Sequence, residues 1–226
     1  MSDFHSHLIP KIDDGVKELP EALEIITQLK ELGVQTIVTT PHVSQHAYPN
    51  KTTGILAAFS ELQHAATAAG INVELAVAAE YYLDDSFQTD LHQKEPLLTF
   101  GRKHLLFETN YLSEPLQLKE VVFQLVTQGY RPMLAHPERY HYMSLAKAED
   151  LRTRGVNLQI NLLSLIGYYS PSVQRLAEKM IDAKIINAVS SDCHQPQQAR
   201  LLQKVAVCKY YQRALELPLI NFDIHA

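Results

Sequence analysis

What most restricts the fold of this chain is a recurring order: a strand-length apolar run, a helical stripe, a glycine, and then the next run. Residues 35–40, 73–79, 104–107, 132–135, 156–160 and 185–189 are predicted strands, each ending in polar residues. Between them, Val173, Leu176, Ala177, Met180 and Ile181 repeat the spacing of one buried helical face, with Ser170 and Pro171 as N-cap and first helical residue. Leu118, Val121, Val122 and Leu125 form a second stripe, and Leu19, Ala22, Leu23, Ile26 and Leu29 a third. Gly33, Gly70, Gly129 and Gly155 each stand between a helical pattern and the next strand, where a left-handed cap is expected. Such alternation implies right-handed crossovers and a mainly parallel α/β sheet, closed as a barrel or open and doubly wound. No glycine-rich nucleotide-binding sequence follows any strand, which favours the barrel.

At 226 residues, with 46% hydrophobic and 20% charged, the chain is expected to form a single domain over residues 1–226, undivided by any low-complexity linker. Even the apolar stretch 71–79 carries polar residues and is far short of the ~20 needed to span a bilayer. The N-terminus lacks a basic and then apolar secretory pattern, so membrane insertion is not expected and a cytoplasmic location is. The net charge of -5, without a Lys/Arg run, disfavours nucleic acid. Two cysteines are too few for a disulfide framework and are expected to be reduced.

The eleven histidines are the informative excess. His5 and His7 alternate on an expected short first strand, so period-two geometry points both to one face. Downstream, Asp14, His42, Glu80, Glu108, His136, Asp192 and His194 lie at or just beyond the ends of successive strands. In a parallel barrel those ends share one mouth, where dispersed residues converge. Glu80 and Glu108 directly follow apolar runs, and a buried carboxylate needs a compensating partner, for which a cation is suited. Nine candidate ligands exceed the four to six positions of one ion, so more than one is implied. Imidazole and carboxylate suit Mn, Fe or Zn. Taken singly, a histidine or aspartate at a strand end is more often a cap, and His46, His64, His92, His104, His141 and His225, outside the pattern, are expected to be surface or structural.

Residues 3–15, reading DFHSHLIPKIDDG, together with Thr40-Pro41-His42 and the segment His136 to Tyr140, resemble the polymerase and histidinol phosphatase (PHP) superfamily. Within it they are most similar to the metal-dependent protein-tyrosine phosphatases of bacterial capsule and exopolysaccharide operons. The resemblance implies a distorted (β/α)7, TIM-like barrel with three metal ions, manganese first and iron or zinc as alternatives. It implies that His5, His7, Glu80 and Asp192 hold one ion, that Glu80 bridges to a second completed by Glu108 and His136, and that Asp14, His42 and His194 hold the third. Water or hydroxide between the ions would attack phosphorus. Arg139 resembles the family's phosphate-binding arginine. A second arginine is expected a few residues beyond the last metal histidine, where Arg200 is the candidate although residues 195–199, QPQQA, intervene. The partner implied is a phosphotyrosine protein, a bacterial tyrosine autokinase, in exopolysaccharide regulation.

Rival functions are separable by residues. A cysteine-based phosphatase needs a thiolate and an arginine flanking a loop of about five intervening residues that cradles phosphate. Cys193 precedes Arg200 by seven positions without a glycine between, and Cys208 precedes Arg213 by five, so neither pair fits. Cys193 stands between two candidate ligands and is expected to point away from them. A histidinol-phosphatase-like phosphomonoesterase would share the ligands and differ in its leaving-group pocket, while a PHP exonuclease is disfavoured by the acidic charge. A non-catalytic metal-binding module would be free to lose ligands that are all present here.

Overall fold

The structure is a computed structural model that describes residues 1–223. The chain runs β1 (Ser2–Asp3), α1 (Leu19–Glu31), β2 (Thr36–Thr39), β3 (His42–Val43), α2 (Thr52–Ala68), β4 (Glu74–Val77), β5 (Glu80–Tyr82) and α3 (Asp85–Gln93). It continues with β6 (His104–Glu108), α4 (Leu118–Thr127), β7 (Arg131–Ala135), α5 (Leu145–Thr153), β8 (Asn157–Asn161), α6 (Pro171–Asp182), β9 (Ala188–Ser190), α7 (Pro196–Ala206) and α8 (Lys209–Leu215).

All strand pairings are parallel, in the orders β1-β2-β4 and β3-β5-β6-β7-β8-β9. β3 continues β2 across Thr40-Pro41, and β5 continues β4 across Ala78-Ala79, so the segments form seven staves. Pro41 marks the first interruption because it has no N–H for a ladder. The two sheets are stitched at the other side by the first stave: His7 N–H donates to Cys193 O at 2.9 Å, Asp192 N–H donates to His5 O at 2.8 Å, and Asn221 Nδ2 donates to Ser2 O at 2.8 Å. The result is the distorted seven-stave barrel that the resemblance implies.

The α4 stripe, Leu118, Val121, Val122 and Leu125, is wholly buried, whereas on α1 Ala22, Ile26 and Leu29 are buried together with Ile25 and Leu19 and Leu23 are half-buried, and on α6 Ala177, Met180 and Ile181 are buried and Val173 and Leu176 half-buried. Each fully buried aliphatic side chain contributes about 1.5–3 kcal/mol. Ser170 caps α6 by accepting from Val173 N–H, and Gly33 ends α1 with φ +88°, a conformation that a Cβ disfavours. Inside the barrel, Phe4, Val38, Ala78, Phe100, Leu106, Met133, Ala135 and Ala188 form a second apolar cluster. Leu106 lies two residues before Glu108 and Ala78 two before Glu80, so in each case the inward face changes from apolar to acidic as the strand reaches the mouth.

One strand is shorter than expected. Regular pairing in β1 ends at Asp3, and only an isolated bridge, Ser6 to Cys193, follows. Threonine side chains interrupt the ladder: Ser6 N–H donates to Thr40 Oγ1 and Leu8 N–H to Thr39 Oγ1. The alternation still holds, and His5 and His7 both turn inward.

Candidate metal centre

The nine candidate ligands come together at the mouth. Four groups of ligand atoms, each confined within 4.8 Å, contain all nine: His7, Asp14, His42 and His194; His5, His7 and Glu80; His5, His136 and Asp192; and His42, Glu80 and Glu108. Glu80 is central and fully buried. Its Oε2 lies 3.0 Å from His5 Nε2, 3.4 Å from His7 Nε2 and 3.1 Å from His42 Nδ1. Its Oε1 faces His136 Nε2 at 3.3 Å and has no hydrogen-bond partner. Glu108 Oε1 is 3.2 Å from His42 Nδ1. Asp192 Oδ1 approaches His5 Nε2 at 3.3 Å, His7 Nε2 at 3.4 Å and His194 Nδ1 at 3.4 Å. Asp14, with a side chain 56% exposed, closes the outer edge at 3.4 Å from His42 Nε2 and 3.7 Å from His194 Nε2.

The partition is less simple than the resemblance implies. His42 faces Glu80 and Glu108 through one ring nitrogen and Asp14 through the other, so it stands between two of the expected sites. His136 lies with His5 and Asp192 as well as beside Glu80.

The outer nitrogens are held from behind, which fixes tautomers. His5 Nδ1 pairs with Gln159 Oε1 at 3.0 Å and His7 Nδ1 with Asp13 Oδ2 at 2.9 Å, so Nε2 of each ring is the nitrogen turned to the centre and would be the one to ligate an ion. Asp13 also accepts from Gly15 N–H at 2.9 Å and His42 N–H at 3.0 Å. Gly15 is obligatory in this turn, because a Cβ would stand 2.4 Å from His7 O. Asp192 turns its other oxygen outward, accepting from Asn161 Nδ2 at 2.7 Å and Arg139 Nη1 at 2.9 Å. Asp3 accepts from Ser191 N–H at 2.8 Å and Ser191 Oγ–H at 2.6 Å, anchoring the chain just before Asp192. His136 and Asp192 adopt positive φ, 35° and 50°, which a non-glycine residue holds only when its surroundings impose it.

The residues fit cations. Donor atoms that share one ion at ~2.1 Å stand roughly 3.0–3.4 Å apart, the range seen around Glu80 and Asp192. Burial alone would raise both carboxyls, but facing histidines, His5 first, hold them well below their usual range. Conversely, burial opposes charge on His5, yet Glu80 and Asp192 lift it to about 9. The buried carboxylates are thus held ionised by facing positive charge, a role that bound cations would take over from protonated histidines, and Glu80 Oε1, which has no hydrogen bond, points into the same space.

Arg139 is brought to the rim. Its guanidinium carbon sits 4.1 Å from the Tyr169 ring centre and 5.0 Å from that of Tyr111, and burial is outweighed by Asp192, which holds it charged. Arg200 is not: α7 carries it to the α1 side, where Nε donates to Glu24 Oε1 at 3.0 Å and the side chain is 57% exposed. Its place as fifth residue of α7, after Gln195 caps the helix, sets that direction. Cys193 is buried outside the ligand groups, and burial pushes its thiol up. His46, His64, His92 and His141 are exposed, His104 is buried and stacks on Phe100, and His225 lies outside the described residues.

Asp13, Gln159, Asn161, Tyr111 and Tyr169 are the contributors that strand-end reasoning missed. Gln159 and Asn161 had a legible signal, two polar residues alternating on a strand whose ends are apolar-flanked, and hence facing the barrel interior.

Comparison with known proteins places the chain by sequence and by fold. A family profile described as capsular polysaccharide synthesis, CpsB/CapC, matches residues 1–214. The putative tyrosine-protein phosphatase CapC of Staphylococcus aureus is 30% identical over 196 residues, covering 86% of this chain and 77% of that protein. In fold, a solved structure from work on YwqE of Bacillus subtilis and CpsB of Streptococcus pneumoniae, described as metal-dependent tyrosine phosphatases, superposes with a TM-score of 0.83 at 24% identity, covering 100% of this chain and 96% of that one. A histidinol phosphate phosphatase of Lactococcus lactis, solved with zinc, histidinol and phosphate, superposes with a TM-score of 0.55 at 14% identity, covering 91% and 92%. The chain belongs to the CpsB/CapC family of capsular polysaccharide synthesis proteins.

Proposed function

We propose that this protein is a metal-dependent protein-tyrosine phosphatase, a phosphoric monoester hydrolase that acts as a single domain on phosphotyrosine proteins. The observation that carries this reading is the joining of nine imidazole and carboxylate ligands to one half-buried cationic side chain, Arg139, at the barrel mouth. Bound ions supply an activated water and neutralise phosphoryl oxygens. His5, His7, Asp14, His42, Glu80, Glu108, His136, Asp192 and His194 would hold three of them, manganese by preference, since the donors are nitrogen and oxygen without thiolate. Glu80 is suited to bridging because its two oxygens face different histidines.

Arg139 binds and orients the phosphoryl group. The Tyr111 and Tyr169 rings limit its guanidinium to a narrow range of directions, and Asp192 fixes its inner edge, leaving the remaining N–H donors for phosphate. Tyr48, stacked on His42 with ring centres 5.4 Å apart, and Tyr111, stacked on His136 at 5.8 Å, provide aromatic walls for a phenyl ring. A phenolate of pKa ~10 leaves without strong assistance from a general acid, consistent with a mouth in which the histidines face carboxylates rather than open space. Buried Cys193 takes no part.

The CapC and YwqE relatives support phosphotyrosine as substrate, and the family description supports a place in capsule or exopolysaccharide synthesis. A cytoplasmic tyrosine autokinase is the partner we propose. No helix among the described residues is long and apolar enough to cross a membrane. The test is turnover of a phosphotyrosine peptide and of histidinol phosphate by protein of measured metal content. Phosphotyrosine turnover that is lost with chelator, and lost in a folded His136→Ala variant, is expected. A strong preference for histidinol phosphate would replace the reading with that of a small-molecule phosphatase, and metal binding without turnover of any phosphoester would reduce the protein to a binding module.

A further inference from the structure

Beside the metal centre runs a groove of about 610 Å³ whose lining includes Arg139, His141, Ser144, Ser170, Arg175 and Lys179. Arg175 and Lys179 are exposed and lie four residues apart on one face of α6, a like-charge spacing that is unfavourable on an isolated helix. Neither forms an ion pair among the described residues, whereas Asp182 of the same helix is paired with Arg213. The one carboxyl group in the lining, Glu138, is 2% exposed and accepts from Ser164 Oγ–H and Asn161 N–H, so it does not offset these cations at the surface. Arg139 belongs to both places: it lines the groove while its Nη1 meets Asp192 in the centre. A chain whose phosphotyrosine is seated at Arg139 therefore has a cationic channel open to its neighbouring residues.

Resting on the phosphatase reading, we infer that this groove is a specificity subsite for an anionic side chain flanking the phosphotyrosine, with Arg175 and Lys179 as its charged wall. Hydroxyls from Ser144, Ser170 and Ser172 add donors along the same wall. The shared chemistry is an anion on the same peptide, whether a carboxylate or a second phosphotyrosine. Because the cations are exposed, the effect falls on KM rather than on kcat and declines with salt.

The test uses metal-loaded protein and three peptides that differ only beside the phosphotyrosine: neutral residues, Asp/Glu residues, or a second phosphotyrosine. With the native chain, KM for the anionic peptides is expected to be roughly 3- to 10-fold below that of the neutral peptide, with kcat nearly unchanged. The larger gain identifies carboxylate or phosphate as the favoured occupant. Arg175→Ala/Lys179→Ala is expected to erase the difference while leaving p-nitrophenyl phosphate turnover and the melting temperature unchanged, and Arg175→Glu/Lys179→Glu to reverse it. Equal KM for all three peptides, or a preference that survives in the alanine pair, overturns the inference while the phosphatase reading stands. Absence of turnover on p-nitrophenyl phosphate and every peptide overturns both.

Discussion

Asp13 is the most exacting test of how this centre is held, because it touches no candidate ion position yet supports two ligands. Asp13→Asn preserves shape and removes one acceptor. In the native chain Oδ2 accepts from His7 Nδ1–H and His42 N–H, and Oδ1 accepts from Gly15 N–H. An asparagine can place its single oxygen at the Oδ2 position and oppose its NH2 to Gly15 N–H, or reverse this and oppose it to both other donors. The better arrangement still loses one hydrogen bond and buries a donor against a donor, a cost of about 1–3 kcal/mol in stability. Loss of the carboxylate behind His7 also weakens metal binding by roughly 10- to 100-fold, equivalent to about 1.4–2.7 kcal/mol. Competition with a fluorescent chelator measures the second effect, and melting of metal-free protein measures the first, at about 2–4 °C for each kcal/mol in a chain of this size. The acid limb provides a further check. Burial raises the Asp13 carboxyl but His7 and its hydrogen bonds outweigh this, bringing it from 3.8 down to about 2. Its contribution is thus present above pH 3.8 and is lost as pH falls toward 2, and the variant should lack that segment of the unfolding curve. Metal affinity within twofold of native in folded Asp13→Asn would refute the claim that this carboxylate orients His7.

Three other substitutions probe separate parts of the site. Tyr169→Ala is expected to lower kcat/KM on phosphotyrosine by about 10-fold through lost confinement of Arg139, and Tyr169→Phe to retain more activity because the ring remains; equal losses, measured by steady-state kinetics, would assign the effect to the hydroxyl bonded to Asn161. Cys193→Ala is expected to stay within about twofold of native activity, and Cys193 in the native protein to resist iodoacetamide by peptide mapping, since its thiol is buried and kept protonated. Arg200→Ala is expected to leave KM and kcat unchanged and to alter stability by under about 1 kcal/mol, as its exposed pair with Glu24 implies; a large kcat loss would return Arg200 to the phosphate site.

The sequence made the frame legible where periodicity and burial coincide. Leu118, Val121, Val122 and Leu125 are buried together because a helical face cannot be apolar over two turns without something to cover it. The convergence of the nine ligands followed from strand ends, a rule of parallel topology independent of which residues pair. Contacts that depend on side-chain direction were less accessible. Arg200 is the first arginine after His194, although residues 195–199 intervene, and the helix phase of α7 turns it to Glu24. Asp13 and Asp14 are adjacent and chemically alike, and only the turn closed by Gly15 decides which is buried behind His7 and which is exposed at the rim. Tyr169 lies thirty positions from Arg139, on the segment between β8 and α6, and no local pattern links the two.

Charge explains why ions and substrate belong together here. The ligand groups contain four carboxylates, Asp14, Glu80, Glu108 and Asp192, and the histidines are neutral when their nitrogens coordinate. One divalent ion would leave the centre negative, and two would only balance it; either state offers a phosphate dianion little attraction beyond Arg139. The three ions proposed for this site would reverse the sign and leave about two positive charges, which a phosphate dianion neutralises. Asp13, behind His7, tempers that charge without entering the mouth, while neutral Gln159 and Asn161 orient His5 and Asp192 at no electrostatic expense. The same balance bears on the groove: a mouth made cationic by three ions would draw in the phosphoryl group by itself, which would leave Arg175 and Lys179 to discriminate among the residues beside it.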